Sequence, residues 1–246
     1  MAIIDKPSDY FNTKLYTGNA TNPTTISGIG FQPDWVWTKL RAGGTEGHRL
    51  CDAVRGVTKD LFSNDSAAEA TNSIGLKSFN SDGYVIGNSN GYNINSGTFV
   101  SWNWKAGTTG SGTTTGAGTG KAYSYSVNTT SGFSIVTYLG NGTEDHTIPH
   151  HLGVAPKMYI VKQRDGADSW ITYHDGLGGA DKYILLNTTA AAGTSNNPWG
   201  TVVPTSSVNN LGSAGDTNGN DDSFIMYSFA DVQGYSKFGS YTGNGN

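Results

Sequence analysis

Cysteine, glutamate and long apolar runs are all scarce in this 246-residue sequence. Cys51 is the single cysteine, which excludes an intramolecular disulfide and favours folding in a reducing bacterial cytoplasm. No run of 18 apolar residues is present, and the first residues contain no long apolar segment of the kind found in secretory signals. We therefore expect neither membrane insertion nor conventional secretion.

Positive charge is also sparse. The chain has 15 Lys and Arg residues against 19 Asp and Glu residues, for a formal net charge of -4. No basic stripe is present to neutralise phosphates, so nucleic-acid binding is not expected. With glutamate only at Glu46, Glu69 and Glu144, a glycosidase would depend largely on aspartate pairs, which gives paired-carboxylate catalysis little support.

Turn-forming and aromatic residues are abundant instead. The 35 glycines accompany 13 Tyr, 9 Phe and 6 Trp, enough large apolar side chains to form a folded core. Apolar and polar residues alternate in short runs, most clearly at 35–37 and 99–104, as in strands with one buried face. Asp82-Gly83 between two such runs predicts a hairpin, whereas residues 51–62 fit either a short helix or none. The pattern predicts an all-β protein.

One sequence pattern occurs twice in the same order. Residues 16–19, 28–41 and 100–104 resemble residues 138–141, 151–164 and 225–229. Aligned pairs with one constant offset are Gly30/Gly153, Pro33/Pro156, Lys39/Lys162, Arg41/Arg164 and Asp52/Asp175. The repetition predicts two tandem modules of one fold.

The repeats divide the chain into four segments. We expect a first module at 1–106, a flexible Gly/Thr/Ser linker at 107–122, a second module at 123–235 and the start of a third repeat at 236–246. Short strands with regular turns predict that each module is an antiparallel β-sandwich of jelly-roll or lectin-like type.

Several of these motifs resemble a repeat of virion proteins from marine tailed bacteriophages. In the first copy they are Tyr16-Thr17-Gly18-Asn19, Gly-x-x-Pro-x-x-x-x-x-Lys-x-Arg at 30–41, the run 78–84 and the run 100–107. In the second copy they are the runs 150–158 and 228–237. The resemblance implies a lectin-like sandwich in a tail fibre or other appendage, in contact with surfaces or neighbouring subunits. It implies no catalytic residues.

Candidate catalytic groups do not combine into a convincing active site. Gly87-Asn88-Ser89-Asn90-Gly91 matches the nucleophile-elbow pattern, which requires a preceding strand and a following helix, but we expect another strand after it. His48 with Asp52, and His174 with Asp175, are therefore interpreted as structural. We predict that the protein is not an enzyme.

Three segments resemble ligand-binding motifs. Glu144, His146, His150 and His151 are the densest group of potential metal ligands, with an exposed hairpin end as the alternative. Residues 216–222 offer alternating oxygen ligands but lack the glycine and glutamate of a calcium loop, and an ordinary turn is favoured. Residues 116–121 resemble a phosphate loop with a misplaced glycine and no following Ser or Thr. No cofactor is predicted.

The tryptophans are divided between core and surface. Trp35, Trp37, Trp102 and Trp104 are replaced in the second copy by Met158, Ile160, Tyr227 and Phe229, which preserve bulk and favour core packing. Trp170 and Trp199 lie in loop-like contexts with no aligned aromatic residue, so we predict them as glycan-contacting residues.

The leading functional hypothesis is a structural virion protein, in a tail fibre, appendage or capsid decoration, that provides rigid spacing and docking or adhesion surfaces. It would assemble in the host cytoplasm and become extracellular after lysis. Expected partners are other virion proteins, further copies in a homotrimer by analogy with phage fibres, and a host-surface glycan. The alternatives are a carbohydrate-binding module of a surface protein and a glycan-degrading spike.

Overall fold

A computed structural model describes residues 3–244, and its first half consists of nine strands and one short helix. The strands are β1 (Phe11–Thr17), β2 (Thr24–Ser27), β3 (Trp35–Ala42), β4 (Arg49–Asp52), β5 (Lys59–Phe62), β6 (Ala70–Thr71), β7 (Leu76–Asn80), β8 (Gly83–Ile86) and β9 (Thr98–Trp104), with the one-turn helix α1 (Asn90–Asn93) before β9. A 3₁₀ turn at Pro7–Asp9 precedes β1. Residues 51–62, which the sequence left undecided, are β4, a turn and β5.

The second half repeats this pattern with three additional strands at its start and without a counterpart of β7. Its elements are β10 (Thr108–Thr113), β11 (Thr115–Gly116), β12 (Ala122–Asn128), β13 (Phe133–Leu139), β14 (His146–Pro149), β15 (Met158–Gln163), β16 (Ile171–His174), β17 (Lys182–Leu185), β18 (Gly193–Thr194), β19 (Val208–Leu211), α2 (Gly215–Asn218) and β20 (Ser223–Phe229). A 3₁₀ turn at Asp175–Leu177 follows β16.

Each half is an antiparallel β-sandwich. In the first, the six-stranded sheet β1-β9-β3-β4-β5-β6 faces the three-stranded sheet β2-β8-β7, with Ile26, Val36 and Tyr84 in the buried layer. In the second, the eight-stranded sheet β10-β12-β13-β20-β15-β16-β17-β18 faces β11-β14-β19 around Tyr159 and Trp199. The prediction of an all-β sandwich fold is confirmed, and the Asp82-Gly83 hairpin joins β7 to β8.

The Tyr-x-Gly-Asn motif at the end of β1 and of β13 has the same structural role in both copies. Tyr16 Oη donates to the carbonyl of Tyr92 at 2.9 Å, and Tyr138 Oη donates to that of Thr217 at 2.6 Å. A side chain on Gly18 would lie 2.2 Å from the Ile94 carbonyl oxygen. Glycine is therefore required where the chain passes the one-turn helix.

The asparagine of each motif is bound by a second, buried asparagine. The Asn93 side-chain oxygen accepts from the Asn19 N–H at 2.8 Å, and that of Asn218 accepts from Asn141 at 2.9 Å. Both buried asparagines also donate to a carbonyl at the end of a preceding strand, Gly87 in one copy and Gly212 in the other. The repeated sequence motif therefore fixes the backbone at the same place in each sandwich.

The segment predicted as a flexible linker is ordered, so that expectation is wrong. Residues 108–113 form β10, which pairs with β12 over six residues. A Cβ added to Gly110 would lie 2.6 Å from the Tyr125 hydroxyl, and one added to Gly112 would lie 2.9 Å from the Tyr123 ring. These tyrosines cover the two glycines, so the strand gains apolar contact at the positions that have no side chain.

The predicted third repeat does not form a strand in the described part of the chain. Residues 237–244 carry no strand or helix, and the Tyr241 side chain is 94% exposed. Residues 245 and 246 lie outside the described residues. No helix within residues 3–244 is both long enough and apolar enough to cross a membrane.

Candidate functional site: an aromatic cleft between the sandwiches

The two large sheets pack face to face, so the molecule has four layers. Trp35 on β3 stacks on Tyr227 of β20, with ring centroids 4.3 Å apart and an interplanar angle of 16°. Trp35 also lies 5.7 Å from Phe133 of β13. A third buried apolar cluster therefore lies between the two sandwiches, separate from the core inside each.

Buried charges join the halves beside this apolar layer. Arg55, with a fully buried side chain, binds the Asp52 carboxylate, which also accepts from Tyr227 Oη at 2.7 Å. Glu69 accepts from Arg55 at 3.0 Å and from Arg164 of the second half at 3.0 and 2.9 Å. We call Asp52, Arg55, Glu69, Arg164 and Tyr227 the inter-sandwich lock.

The charge states of the lock follow from these contacts. Burial alone would lower the pKa of Arg55, but Asp52, Tyr227 and Glu69 raise it well above its ordinary value. Burial alone would raise the pKa of Glu69, but the guanidinium groups of Arg164 and Arg55 lower it. Arg55 and Glu69 are therefore both charged at neutral pH, each held by opposite charge.

At one side of the interface the two large sheets leave an apolar cleft of about 300 Å³. Strands β1, β3 and β9 form one wall, and β13, β15 and β20 form the other. We call this the aromatic cleft; it is lined by Phe11, Trp35, Trp37, Trp104, Phe133, Met158, Ile160, Phe229 and Phe238, with Ser131, Gly132, Ala230, Tyr235 and Ser236.

The walls of the aromatic cleft come from equivalent positions in the two copies. Phe11 and Phe133 begin equivalent strands, and Trp104 and Phe229 end the equivalent strands β9 and β20. Trp35 and Met158 occupy equivalent places at the start of β3 and β15. The cleft is thus where the same face of the two repeats meets without filling the space between them.

The chain after β20 closes one side of the cleft. Tyr235 packs edge-on against Tyr10, with centroids 6.2 Å apart, and Phe238 lies 6.2 Å from Phe229. The Ile4 N–H donates to the Gln233 carbonyl at 3.0 Å, and the Phe238 N–H donates to Asp231. Residues predicted as the start of a third repeat therefore contribute to the cleft of the first two.

Beside the cleft lies a more accessible surface, which we call the tryptophan shelf: Trp37, Trp102, Trp104 and His48. Trp37 and Trp102 meet edge to face at 6.1 Å, and Trp37 Nε1 donates to His48 Nδ1 at 3.0 Å. Burial, followed by the charge of Lys39, lowers the pKa of His48, so its ring is neutral and accepts this bond. Ser63, Asn64 and residues 186–189 border a polar depression next to Trp37 and His48.

The predicted glycan-contacting tryptophans are wrong, because both are fully buried. The Trp170 side chain lies between the two halves, and its Nε1 donates to the Phe62 carbonyl at 2.8 Å. Trp199 packs edge-on against Tyr159 at 4.7 Å in the second core. A buried indole offers no face to a sugar, whereas Trp37 and Trp102, predicted as core, are only half-buried.

The predicted metal ligands do not converge, and the described residues 3–244 contain no cluster of three or more potential ligands. His146 contacts the Asn141 side-chain amide at 2.7 Å, while His150 contacts the Thr205 carbonyl and the Leu152 N–H. His151 instead stacks on Tyr125, and Glu144 is exposed. Burial lowers the pKa of His150 to about 4, so this ring is neutral and serves the local backbone.

Side chains of the other candidate motifs also bind neighbouring protein groups and do not form a shared site. Ser89 does follow a strand and precede the one-turn helix α1, contrary to the expected strand, but its hydroxyl accepts from Asn72. Within 216–222, Asp221 pairs with Lys121, and Asp222 accepts from Gln163. His48 and Asp52 have separate partners, Trp37 and the inter-sandwich lock.

These features define an all-β protein made of two joined sandwiches. The family described as Domain of unknown function (DUF7483) matches residues 6–246, and the chain belongs to this family. The match spans both sandwiches as one unit. No curated protein and no solved structure matches the chain.

Proposed function

We propose that this protein is a structural component of a bacteriophage virion, in which two β-sandwiches act as one rigid spacer with adhesive or docking surfaces. The observation that carries this proposal is the inter-sandwich lock beside the buried layer around Trp35. A pair of modules on a flexible tether would transmit position poorly, whereas two sheets packed face to face fix both distance and orientation.

The proposed partners follow from that role. They are other virion proteins, further copies of the chain in a homotrimer, and a host-surface glycan. The motifs shared with phage appendage repeats support this setting. One of them, Tyr-x-Gly-Asn, has a physical explanation, because a buried asparagine binds its backbone in each sandwich. Immunogold labelling of intact particles tests the location: label on the particle surface is expected, and label confined to host debris would contradict it.

Small-angle X-ray scattering tests the rigidity. If the two sandwiches move as one body, the radius of gyration of the monomer should be roughly 18 Å, the value for a compact chain of this length. Motion about residues 106–107 would give a larger radius and a curve that no single arrangement fits. Scattering should be measured at several protein concentrations, because a homotrimer would raise the apparent mass about threefold from 25.9 kDa.

Carbohydrate binding is the second candidate function, and the tryptophan shelf favours it. Exposed indole faces stack on the apolar faces of sugar rings, while polar side chains bind their hydroxyls. Trp37 and Trp102 supply such faces, and His48 and Asn64 lie beside Trp37. Sugar binding at this surface is compatible with an adhesive virion protein.

A Trp102→Ala variant tests this second function. We expect glycan-array signals and adhesion to host cells to fall about tenfold, which corresponds to about 1.4 kcal/mol, because truncation removes one stacking face. Tyr241→Ala is the matched control, since it removes an aromatic ring that is 94% exposed and is not one of the shelf residues. Equal binding by Trp102→Ala and the unaltered chain would exclude the shelf as the sugar site.

A further inference from the structure

We propose that copies of this chain assemble head to tail, with the free edge of β1 in one copy pairing antiparallel with the free edge of β10 in a second copy. The inference rests on the proposed structural role, because it names the surfaces through which copies of the chain meet. Both surfaces are strand edges whose backbone groups face away from the rest of the molecule.

Strand β1 lies at the end of its six-stranded sheet, and β9 is its only strand partner among residues 3–244. The Gly18 N–H donates to the Gly97 carbonyl at 2.8 Å, so the even-numbered residues of this segment bond to β9. Alternate residues of an antiparallel strand direct their backbone groups to opposite sides. The outward residues of β1 are therefore Phe11, Thr13, Leu15 and Thr17. Of their backbone groups only the Thr13 N–H has a partner within the described chain, the Asn12 side-chain oxygen at 2.9 Å.

The second copy shows what pairs with this edge. Its equivalent of β1 is β13, which pairs antiparallel with β12 over six residues. At the outward positions, β13 lies opposite polar, uncharged residues of β12. The pairs are Phe133 with Asn128, Ile135 with Ser126, and Thr137 with Ser124. The first copy has no counterpart of β12 among residues 3–244, so its edge lacks the strand that completes the second sheet.

Strand β10 presents an edge of the same kind as β12. It lies at the end of the eight-stranded sheet, with β12 as its only strand partner in the described chain. The Thr114 N–H donates to the Lys121 carbonyl at 2.7 Å, which continues the ladder and places Thr109, Ser111 and Thr113 outward. Their backbone groups have no hydrogen-bond partner among residues 3–244. The strand has no charge, proline or bulge, the features that natural edge strands use to prevent pairing.

Charge favours β10 of the second copy over a second β1. Two β1 strands paired about their centre would place Lys14 of one copy opposite Lys14 of the other, and like charges directly opposite are destabilising. Pairing with the uncharged β10 avoids this repulsion. It also brings a neighbouring strand beside Leu15, a large apolar side chain that is 58% exposed.

The two edges differ, so the contact is heterologous. Each copy offers one β1 edge and one β10 edge, and a chain of copies either closes into a ring or continues as a filament. Two β10 strands could pair without like charges, but that arrangement would leave both β1 edges open. Only the pairing of β1 with β10 uses both edges of every copy.

Two proline variants test the pairing on the full chain. Leu15→Pro and Ser111→Pro each remove an outward N–H and leave the ladders with β9 and β12 intact. In sedimentation velocity, the unaltered chain at high concentration should reach about twice 25.9 kDa or more. Each variant alone should stay monomeric. An equimolar mixture should form a one-to-one dimer, because each variant supplies the edge that the other lacks.

Control variants separate blocked pairing from loss of folding. Leu15→Thr, which introduces the residue found at the equivalent position 137, should assemble as the unaltered chain does. Leu15→Lys and Ser111→Lys change only a side chain and should block pairing as the prolines do. Thermal melting followed by circular dichroism confirms that each variant is folded.

The other outcomes overturn the proposal. Dimers of Ser111→Pro alone would mean that β1 pairs with β1, and dimers of Leu15→Pro alone would mean that β10 pairs with β10. An unaltered chain that stays monomeric at every concentration would mean that neither edge pairs. Immunogold labelling and scattering from the monomer test the proposed structural role separately, so failure of the pairing is distinguishable from failure of that role.

Discussion

Replacing Arg55 by methionine is expected to lower the free energy of unfolding by about 3–5 kcal/mol, because it leaves the buried Asp52 carboxylate without its counter-charge. The Arg55 side chain is fully buried and binds both Asp52 and Glu69. Methionine fills much of the same space but cannot donate to either. Urea unfolding followed by tryptophan fluorescence measures the change.

An exposed ion pair provides the control for this experiment. Lys157 pairs with Asp175 at 2.8 Å, but both side chains are substantially exposed. Lys157→Met should therefore cost no more than about 1 kcal/mol. If Arg55→Met is as mild as Lys157→Met, the inter-sandwich lock does not stabilise the native state. Asp52→Asn with Arg55→Met should recover part of the loss, because the double variant removes the unpaired charge as well.

The local elements of the fold follow from sequence because their causes are local. Alternation in 99–104 predicts β9, and Asp82-Gly83 predicts the turn between β7 and β8. The repeated Tyr-x-Gly-Asn motif predicts a repeated module, although its reason becomes clear only with Asn93 and Asn218 in place. Those asparagines lie more than 70 residues from their partners, and no spacing rule connects them.

The incorrect predictions concern which residues are buried by parts of the chain distant in sequence. Residues 108–113 have the composition of a linker, but Tyr123 and Tyr125 of the adjacent strand cover their glycines. Trp170 stands in a loop-like sequence, yet the packing of the two halves buries it. Trp37 and Trp102 alternate as core residues do, but the face they occupy is only partly covered by the second sandwich. Burial by a distant element leaves no local trace in sequence.

The interface between the sandwiches also explains why bulky residues recur at equivalent positions of the two copies. Equivalent faces of the two copies carry Trp35 and Trp104 in one and Met158 and Phe229 in the other, and these faces meet. The bulky residues conserved between copies therefore serve the joint between sandwiches rather than the core within each. Each sandwich has its own buried core, whereas the flexible joint predicted between the two modules is not present.

If this joint is obligatory, the two halves expressed separately should not behave as soluble, folded monomers. A first half ending at residue 106 would expose Trp35, Leu50 and Leu61, each at most 1% exposed in the intact chain. A second half beginning at 107 would expose Ile225 and Tyr227. Contiguous apolar surfaces larger than a few hundred Å² are rare on soluble monomers, so both pieces should aggregate or self-associate.

Co-expression of the two halves supplies the control and the decisive comparison. The apolar face of each half and the Arg164–Glu69 ion pair remain available, so the pieces should elute together as a one-to-one complex in size-exclusion chromatography with light scattering. Adding Glu69→Ala should weaken that complex, because it removes the acceptor for both Arg164 and Arg55. Separate halves that are monomeric and melt as the intact chain does would instead mean that the sandwiches only touch. The inter-sandwich lock would then be only a contact between independently stable modules, and it would not explain the proposed rigidity of the protein.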